Sequence, residues 1–115
     1  MAHLDLTGTV DATEFDPGEF VVAAHGPLDD RIAGELRDLL IPIAAADGAS
    51  VVLDLEDAHG LDAEALAVVS TAAHLVARRG DRMRVVTNSD LTQDLIARCG
   101  LGDIVDVTPT GGDVA

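Results

Sequence analysis

Side chains that could do chemistry follow three apolar runs of the sequence, at residues 20–24, 51–55 and 83–87. They are His25 and Asp29 after the first run, His59, Asp62 and Glu64 after the second, and Asn88 and Ser89 after the third. Imidazole and carboxylate groups are ligands for divalent metals. Their spacing matches no dense metal-binding motif, however, and helix capping accounts for most of the aspartates and for the serine. We therefore predict no metal site.

The sequence shows no nucleophile placed for catalysis and no cysteine placed for redox chemistry. The hydroxyls of Ser70 and Thr71 fall in the middle of a predicted helix, away from any strand-to-helix elbow. The single cysteine, Cys99, has apolar neighbours and is interpreted as a small core side chain. The chain contains no lysine, so a nucleotide could be held only by helix N-termini. We expect a protein that is not an enzyme and has no cofactor.

The amino-acid composition limits the kinds of partner that the protein can bind. The 115 residues include 21 acidic and 7 basic ones, which gives a net charge of −14. Nucleic-acid binding needs many cations against phosphates, so this balance argues against it. Hydrophobic residues make up 48% of the chain and aromatic residues only 2%, so an interface must rely on aliphatic side chains and hydrogen bonds. With one cysteine, no secretion signal and no membrane-spanning stretch, we expect a cytoplasmic protein.

The side chains described above must be held by strands and helices. Strands are predicted at residues 3–10, 20–24, 51–55, 83–87 and 104–108. The first two should form a hairpin around Pro17 and Gly18, because proline fixes φ and glycine accepts a positive φ. The β-branched run at 51–55 is typical of a strand that is covered on both faces.

Three helices lie between these strands. The first begins at Asp29 or Asp30, and Pro42 should kink it or end it near Ile41. The second begins at Asp62 and stops before Gly80, with Leu66, Val69, Ala73 and Val76 on its inner face. The third is capped by Ser89, and its predicted inner face consists of Leu91, Leu95, Ile96 and Cys99. Arg78, Arg79, Arg82 and Arg84 are interpreted as cations at the negative end of the second helix.

This order of elements predicts one α/β domain over residues 3–110, followed by a flexible tail at 111–115. Right-handed crossovers make the strands that flank each helix parallel, so the sheet is mixed and mostly parallel, with helices packed on it. In such sheets ligand sites lie at the C-terminal ends of the strands, where the polar side chains are predicted.

Four segments together resemble the STAS domain, the fold of sulfate transporters and anti-sigma-factor antagonists. They are Gly26-Pro27-Leu28-Asp29, residues 36–40, residues 51–55 with Gly60-Leu61-Asp62, and residues 96–104. The resemblance covers nearly all of residues 3–110. It implies a STAS-like mixed sheet, in which an N-terminal hairpin is followed by a βαβαβαβ arrangement flanked by helices. It also implies a non-enzymatic regulator that binds an anti-sigma factor with serine-kinase activity.

The resemblance further implies a phosphorylation site, and the chain departs from the family there. Antagonists of this family carry Ser or Thr directly after the motif aspartate, whereas Asp62 is followed by Ala63. Alanine has no hydroxyl, so we predict no phosphorylation at this position. Glu64 is interpreted as a surface glutamate favoured by the helix dipole, in preference to a mimic of the missing phosphate.

The resemblance places partner binding at the sheet edge and on the exposed side of the second helix. The predicted contact residues are Asp29, His59, Leu61, Asp62, Ala63, Glu64 and Leu66. Asp62 would cap the helix, while Leu61 and Leu66 would fix its packing. Alternatives left open are an accessory STAS subunit of a sensory assembly or transport ATPase, a small-molecule or nucleotide sensor, and a homodimer.

Overall fold

The computed structural model describes residues 9–109 of the chain. Its elements are β1 (Thr9–Asp16), β2 (Glu19–Pro27), α1 (Asp30–Ala45), β3 (Ser50–Asp54), β4 (Ala58–His59), α2 (Ala63–Arg78), β5 (Met83–Thr87), α3 (Asp90–Arg98), a 3-10 turn (Leu101–Asp103) and β6 (Val105–Pro109). The predicted α/β class and order of elements are confirmed, with the two-residue β4 as an addition. The predicted tail at 111–115, and residues 3–8 of the predicted first strand, lie outside the described residues.

The strands form one mixed sheet in the order β1-β2-β3-β5-β6. β1 pairs with β2 in an antiparallel hairpin, and the pairs β2–β3, β3–β5 and β5–β6 are parallel. The short β4 pairs with the last residues of β2. Because all the parallel strands point the same way, their C-terminal ends lie at one edge of the sheet, and each of the three helices begins there.

The first strand lies further along the chain than predicted. Residues 11–16, which we expected to belong to the connection, are paired with β2 up to the turn at Pro17 and Gly18. That turn is as predicted, with Gly18 at φ +84°. All β1 side chains except that of Val10 are exposed, so backbone pairing with β2 holds the strand in place. For the same reason the hydrophobic pattern of the sequence does not predict residues 11–16 as a strand.

Pro42 does not end α1, which continues through Ala45. A proline inside a helix removes one backbone hydrogen bond and costs about 3 kcal/mol. Leu40 and Ala44, on either side of Pro42, are both completely buried in the core. Their packing offsets the local penalty, so the last turn of the helix persists.

The helices cover only one face of the sheet, so the prediction that β3 is covered on both faces is wrong. Val51 and Leu53 are buried among helix residues, whereas Val52 and Asp54 point to the other face and are only half-buried. Each parallel strand is added on the same side of the previous one, and right-handed crossovers then place all helices on one face. The apolar Val52 reflects the preference of β-branched residues for strands.

The inner face of α3 also differs from the prediction. Thr92 and Ile96 are its buried residues, while Leu91 is 64% exposed and Cys99 is exposed at the helix end. The Ser89 hydroxyl oxygen accepts a hydrogen bond from the Thr92 amide and caps the helix, as predicted. Of the four predicted inner residues only Ile96 is buried. Cys99 is therefore not a core side chain.

Two of the arginines after α2 bind other parts of the chain, which corrects their interpretation as cations that merely complement the helix dipole. The Arg79 guanidinium donates to the carbonyl oxygens of Ala46 and Ala49, in the connection between α1 and β3. Arg82 donates to Asp106 at 2.8 Å and to the carbonyl of Asp103 at 2.7 Å. Both arginines therefore link segments that are far apart in the sequence.

Within residues 9–109, none of the helices is both long enough and hydrophobic enough to cross a bilayer.

Candidate functional site

Each helix begins with a side-chain cap at the edge where the parallel strands end. The Asp29 carboxylate accepts a hydrogen bond from the Ile32 amide at 3.2 Å, and the Asp62 carboxylate accepts one from the Ala65 amide at 2.9 Å. With the Ser89 cap of α3, all three predicted caps are confirmed. Each cap satisfies an amide that the helix itself cannot bond, and so fixes the loop that leads into the helix.

The loops before α1 and α2 lie side by side. Strand β4 pairs with the end of β2, the Leu28 amide donates to the His59 carbonyl at 3.4 Å, and the Asp62 amide donates to the Leu28 carbonyl at 3.3 Å. These backbone bonds bring together residues 27–29 and 59–62, which line a shallow hollow at the sheet edge. The sequence predicts that these residues lie at this edge but gives no sign of β4, because two residues are too few for a periodic pattern.

The predicted contact residues differ in how accessible they are. Ala63 and Glu64, in the first turn of α2, are exposed, and so is His59. Leu61, Asp62 and Leu66 are half-buried, as residues that shape the surface from below should be. The surface therefore presents short and acidic side chains over an aliphatic base.

The predicted metal-ligand candidates have separate roles. Both ring nitrogens of His25 face carboxylates, Nε2 lying 3.3 Å from Asp11 and Nδ1 lying 3.3 Å from Asp57. His25 thereby links β1, β2 and the turn after β3. His59 lies in β4 instead, and across residues 9–109 no three His, Cys, Asp or Glu side chains are arranged to hold a metal ion.

Leu91 is a surface residue at this edge that sequence analysis missed. It lies in the first turn of α3, directly after the Ser89 cap, and is 64% exposed. Phe15, at the far end of the β1–β2 hairpin, is the other large hydrophobic side chain exposed among the described residues. No sequence signal marks the exposure of Leu91, because a leucine in an amphipathic helix is ordinarily assigned to the inner face.

The fold described above is that of a known family. The family model for the STAS domain matches residues 12–114. This chain belongs to the STAS domain family. The resemblance of the four sequence segments is thereby confirmed.

Among proteins, this STAS domain is similar to the anti-sigma-F factor antagonist RsfA of Mycobacterium tuberculosis, with 30% identity over 92 residues, 78% of this chain and 72% of RsfA. Among solved structures, it is similar to an anti-sigma factor antagonist from Mycobacterium paratuberculosis, with a TM-score of 0.75, 22% identity and coverage of 96% and 92% of the two chains. Phosphorylated SpoIIAA of Bacillus, a cell fate determinant, gives a TM-score of 0.71 with 13% identity over 87% and 91%. At these identities the two structures establish the shared fold.

Proposed function

We propose that this STAS domain is an anti-sigma-factor antagonist, a regulatory protein that acts by binding an anti-sigma factor and catalyses no reaction itself. The observation that carries this proposal is the likeness to RsfA, which is named as such an antagonist and of which 72% is covered. The structure supplies a surface suited to binding, where three capped helix N-termini hold exposed side chains at one edge. These relatives favour antagonism over an accessory role in a transporter or sensory assembly.

The proposed partner-binding surface consists of Asp29, His59, Leu61, Asp62, Ala63, Glu64 and Leu66, together with Leu91. Ala63 and Glu64 project from the first turn of α2, and Leu91 adds an exposed aliphatic side chain from the first turn of α3. Since both Phe residues lie elsewhere, in β1 and β2, Leu91 is the largest exposed apolar anchor that this edge offers. Exposed apolar side chains within a polar rim are typical of protein interfaces.

Partner binding in this protein is proposed to be independent of phosphorylation at the start of α2. Ala63 is the first residue of α2 and directly follows the Asp62 cap. It is exposed to a kinase but has no hydroxyl to accept a phosphoryl group. The next hydroxyls along the helix are those of Ser70 and Thr71, and the Thr71 hydroxyl donates to the Ala67 carbonyl at 3.0 Å. We therefore propose that binding is constitutive, or set by the amount of partner in the cytoplasm.

Binding and phosphorylation are tested with each purified anti-sigma factor of the organism that encodes this chain. Biolayer interferometry should show binding by the wild type and its loss in Ala63→Arg, which places a long cation on the proposed surface. Ala97→Arg, at an exposed position near the end of α3, is the matched control and should bind normally. If no anti-sigma factor binds the wild type, the proposed function is wrong.

A second measurement addresses the missing switch. After incubation with the bound anti-sigma factor and ATP, the intact mass of the wild type should be unchanged, whereas Ala63→Ser should gain one phosphate. A phosphopeptide from residues 58–70 of the wild type would contradict the proposal.

A further inference from the structure

A groove between α1 and α2 opens next to the proposed binding surface. Its volume is about 270 Å³, and it is lined by Arg37 and Ile41 of α1 and by Glu64, Ala67, Val68 and Thr71 of α2. Glu64 also belongs to the proposed surface, so the groove continues that surface from the sheet edge along the helices. None of Arg37, Ile41, Ala67, Val68 and Thr71 was predicted as a contact residue.

The base of the groove is apolar, and the α2 side chains along one side of it are short. Val68 is 8% exposed and Ile41 is half-buried, so both present aliphatic surface without extending into solvent. Ala67 and Thr71 are exposed but short, which leaves the space between the helices open. Small-molecule sites are usually larger, about 300–1,000 Å³, and enclose their ligand. This open groove instead suits side chains delivered by another protein.

The groove carries one charge of each sign, and neither charge has a partner. Arg37 and Glu64 make no hydrogen bond or ion pair with any described residue. Two exposed arginines elsewhere do have partners, since Arg82 pairs with Asp106 and Arg98 with Asp94. An unpaired guanidinium beside an apolar base can bind a carboxylate from a partner, while Glu64 can bind a cation at the other wall.

We propose that the groove receives an amphipathic helix of the anti-sigma factor. The helix would pack one or two aliphatic side chains against Ile41 and Val68, with an acidic residue at Arg37 and a basic residue at Glu64. From Glu64 to Thr71 the α2 wall spans about 10 Å, or two helical turns, and a groove between two helices accepts the side-chain ridge of a third. The chain's net charge of −14 favours a helix that is basic overall. This inference rests on the proposed function.

Filling the groove is the direct test. Ala67→Arg places a long side chain at an exposed helical position, where arginine is well tolerated, and should weaken binding of the purified anti-sigma factor at least about 30-fold by calorimetry. Ala97→Arg makes the same change on α3 and should stay within about twofold of the wild type. Circular dichroism melts of both variants establish that they fold.

Charge reversal tests the proposed chemistry of the helix. Arg37→Glu should weaken binding about tenfold at low salt and less at high salt, since the contact is exposed and screened. Arg84→Glu is the matched control, because Arg84 is also exposed and unpaired but lies on the face of the sheet without helices, and it should have little effect. If both reversals weaken binding equally, general charge explains the effect and the proposed contact is wrong.

The outcomes separate this inference from the proposed function. If Ala63→Arg weakens binding and Ala67→Arg behaves like Ala97→Arg, the groove is not used while antagonism by the sheet edge stands. If Ala67→Arg weakens binding and Ala63→Arg does not, the groove stands and the proposed surface at Ala63 is wrong. If the wild type binds no anti-sigma factor, both fail. Slower amide exchange at residues 37–41 and 64–71 in the complex is the expected independent signature.

Discussion

The two ends of the parallel strands differ in the side chains that order them: short capping side chains at the end where the helices begin, and arginines at the opposite end. At the edge where the helices begin, each capping side chain bonds an amide three residues further along its own helix, as Asp62 does with Ala65. At the opposite end, the Arg79 guanidinium donates to the carbonyl of Ala49, 30 residues earlier in the chain. The Arg82 guanidinium donates to residues of the 3-10 turn and β6. The caps order the loops that lead into the helices, and backbone bonds of Leu28 join two of these loops. The arginines instead join elements through their side chains.

This difference separates binding from stability in the molecule. The edge with local caps exposes Ala63, Glu64 and Leu91, so substitutions there should change partner affinity more than the free energy of unfolding. The end that carries Arg79 and Arg82 lies away from the proposed surface. Substitutions there should change the free energy of unfolding more than partner affinity.

Arg79→Ala should destabilise the protein most. It removes two charge-assisted hydrogen bonds and leaves the carbonyls of Ala46 and Ala49 without their guanidinium partner. We expect the free energy of unfolding to fall by about 2–3 kcal/mol in urea titrations, with partner affinity unchanged within about twofold. Arg78→Ala is the control, because Arg78 is exposed and makes no comparable bond. Equal stability of the two variants would show that Arg79 does not join these elements.

Asp62→Ala should reduce stability moderately and affinity strongly. Loss of the cap costs about 1 kcal/mol, and the loop that carries His59 and Leu61 loses its anchor to α2. We expect more than about a tenfold loss of affinity by calorimetry. Asp62→Asn keeps an oxygen that can cap the helix and should retain most of both properties. If Asp62→Asn loses as much affinity as Asp62→Ala, partner binding depends on the negative charge of Asp62 and not on its helix cap.

Leu91→Ala should affect affinity while leaving stability within about 0.5 kcal/mol, because the side chain is 64% exposed. We expect about a fivefold to tenfold loss of affinity for the anti-sigma factor. Phe15→Ala provides a matched control, since Phe15 is 67% exposed but lies at the far end of the hairpin. An effect of Phe15→Ala as large as that of Leu91→Ala would place the partner elsewhere.

Much of the fold could be predicted because its central elements carry regular apolar patterns. The strand at 83–87 and the helix at 63–78 were found within a residue or two, since β-branched runs and an inner stripe with clear capping residues mark them. The order of elements and the resemblance then led to the correct family. The sheet edge with its caps followed from the same signals.

The bounds of β1, the short strand β4 and the buried face of α3 were not predicted, because their sequences carry no such signal. Strand β1 exposes nearly all its side chains, and β4 has only two residues, so backbone pairing alone defines them. In α3, Ile96 is buried as predicted, but Thr92 is buried in place of Leu91, which the apolar pattern did not favour. The bonds of Arg79 and the groove beside Arg37 depend on contacts between distant residues, which no local pattern reports.

The sheet edge at Ala63 is proposed to bind an anti-sigma factor without a phosphorylation switch. This proposal is tested most directly by measuring how much sigma factor the protein releases from a purified complex of sigma and anti-sigma factor, with and without ATP. We expect the wild type to release sigma factor equally in both conditions, Ala97→Arg to match it, and Ala63→Arg to release almost none. Release by the wild type that stops after incubation with ATP, or release by Ala63→Arg equal to that of the wild type, would contradict this account.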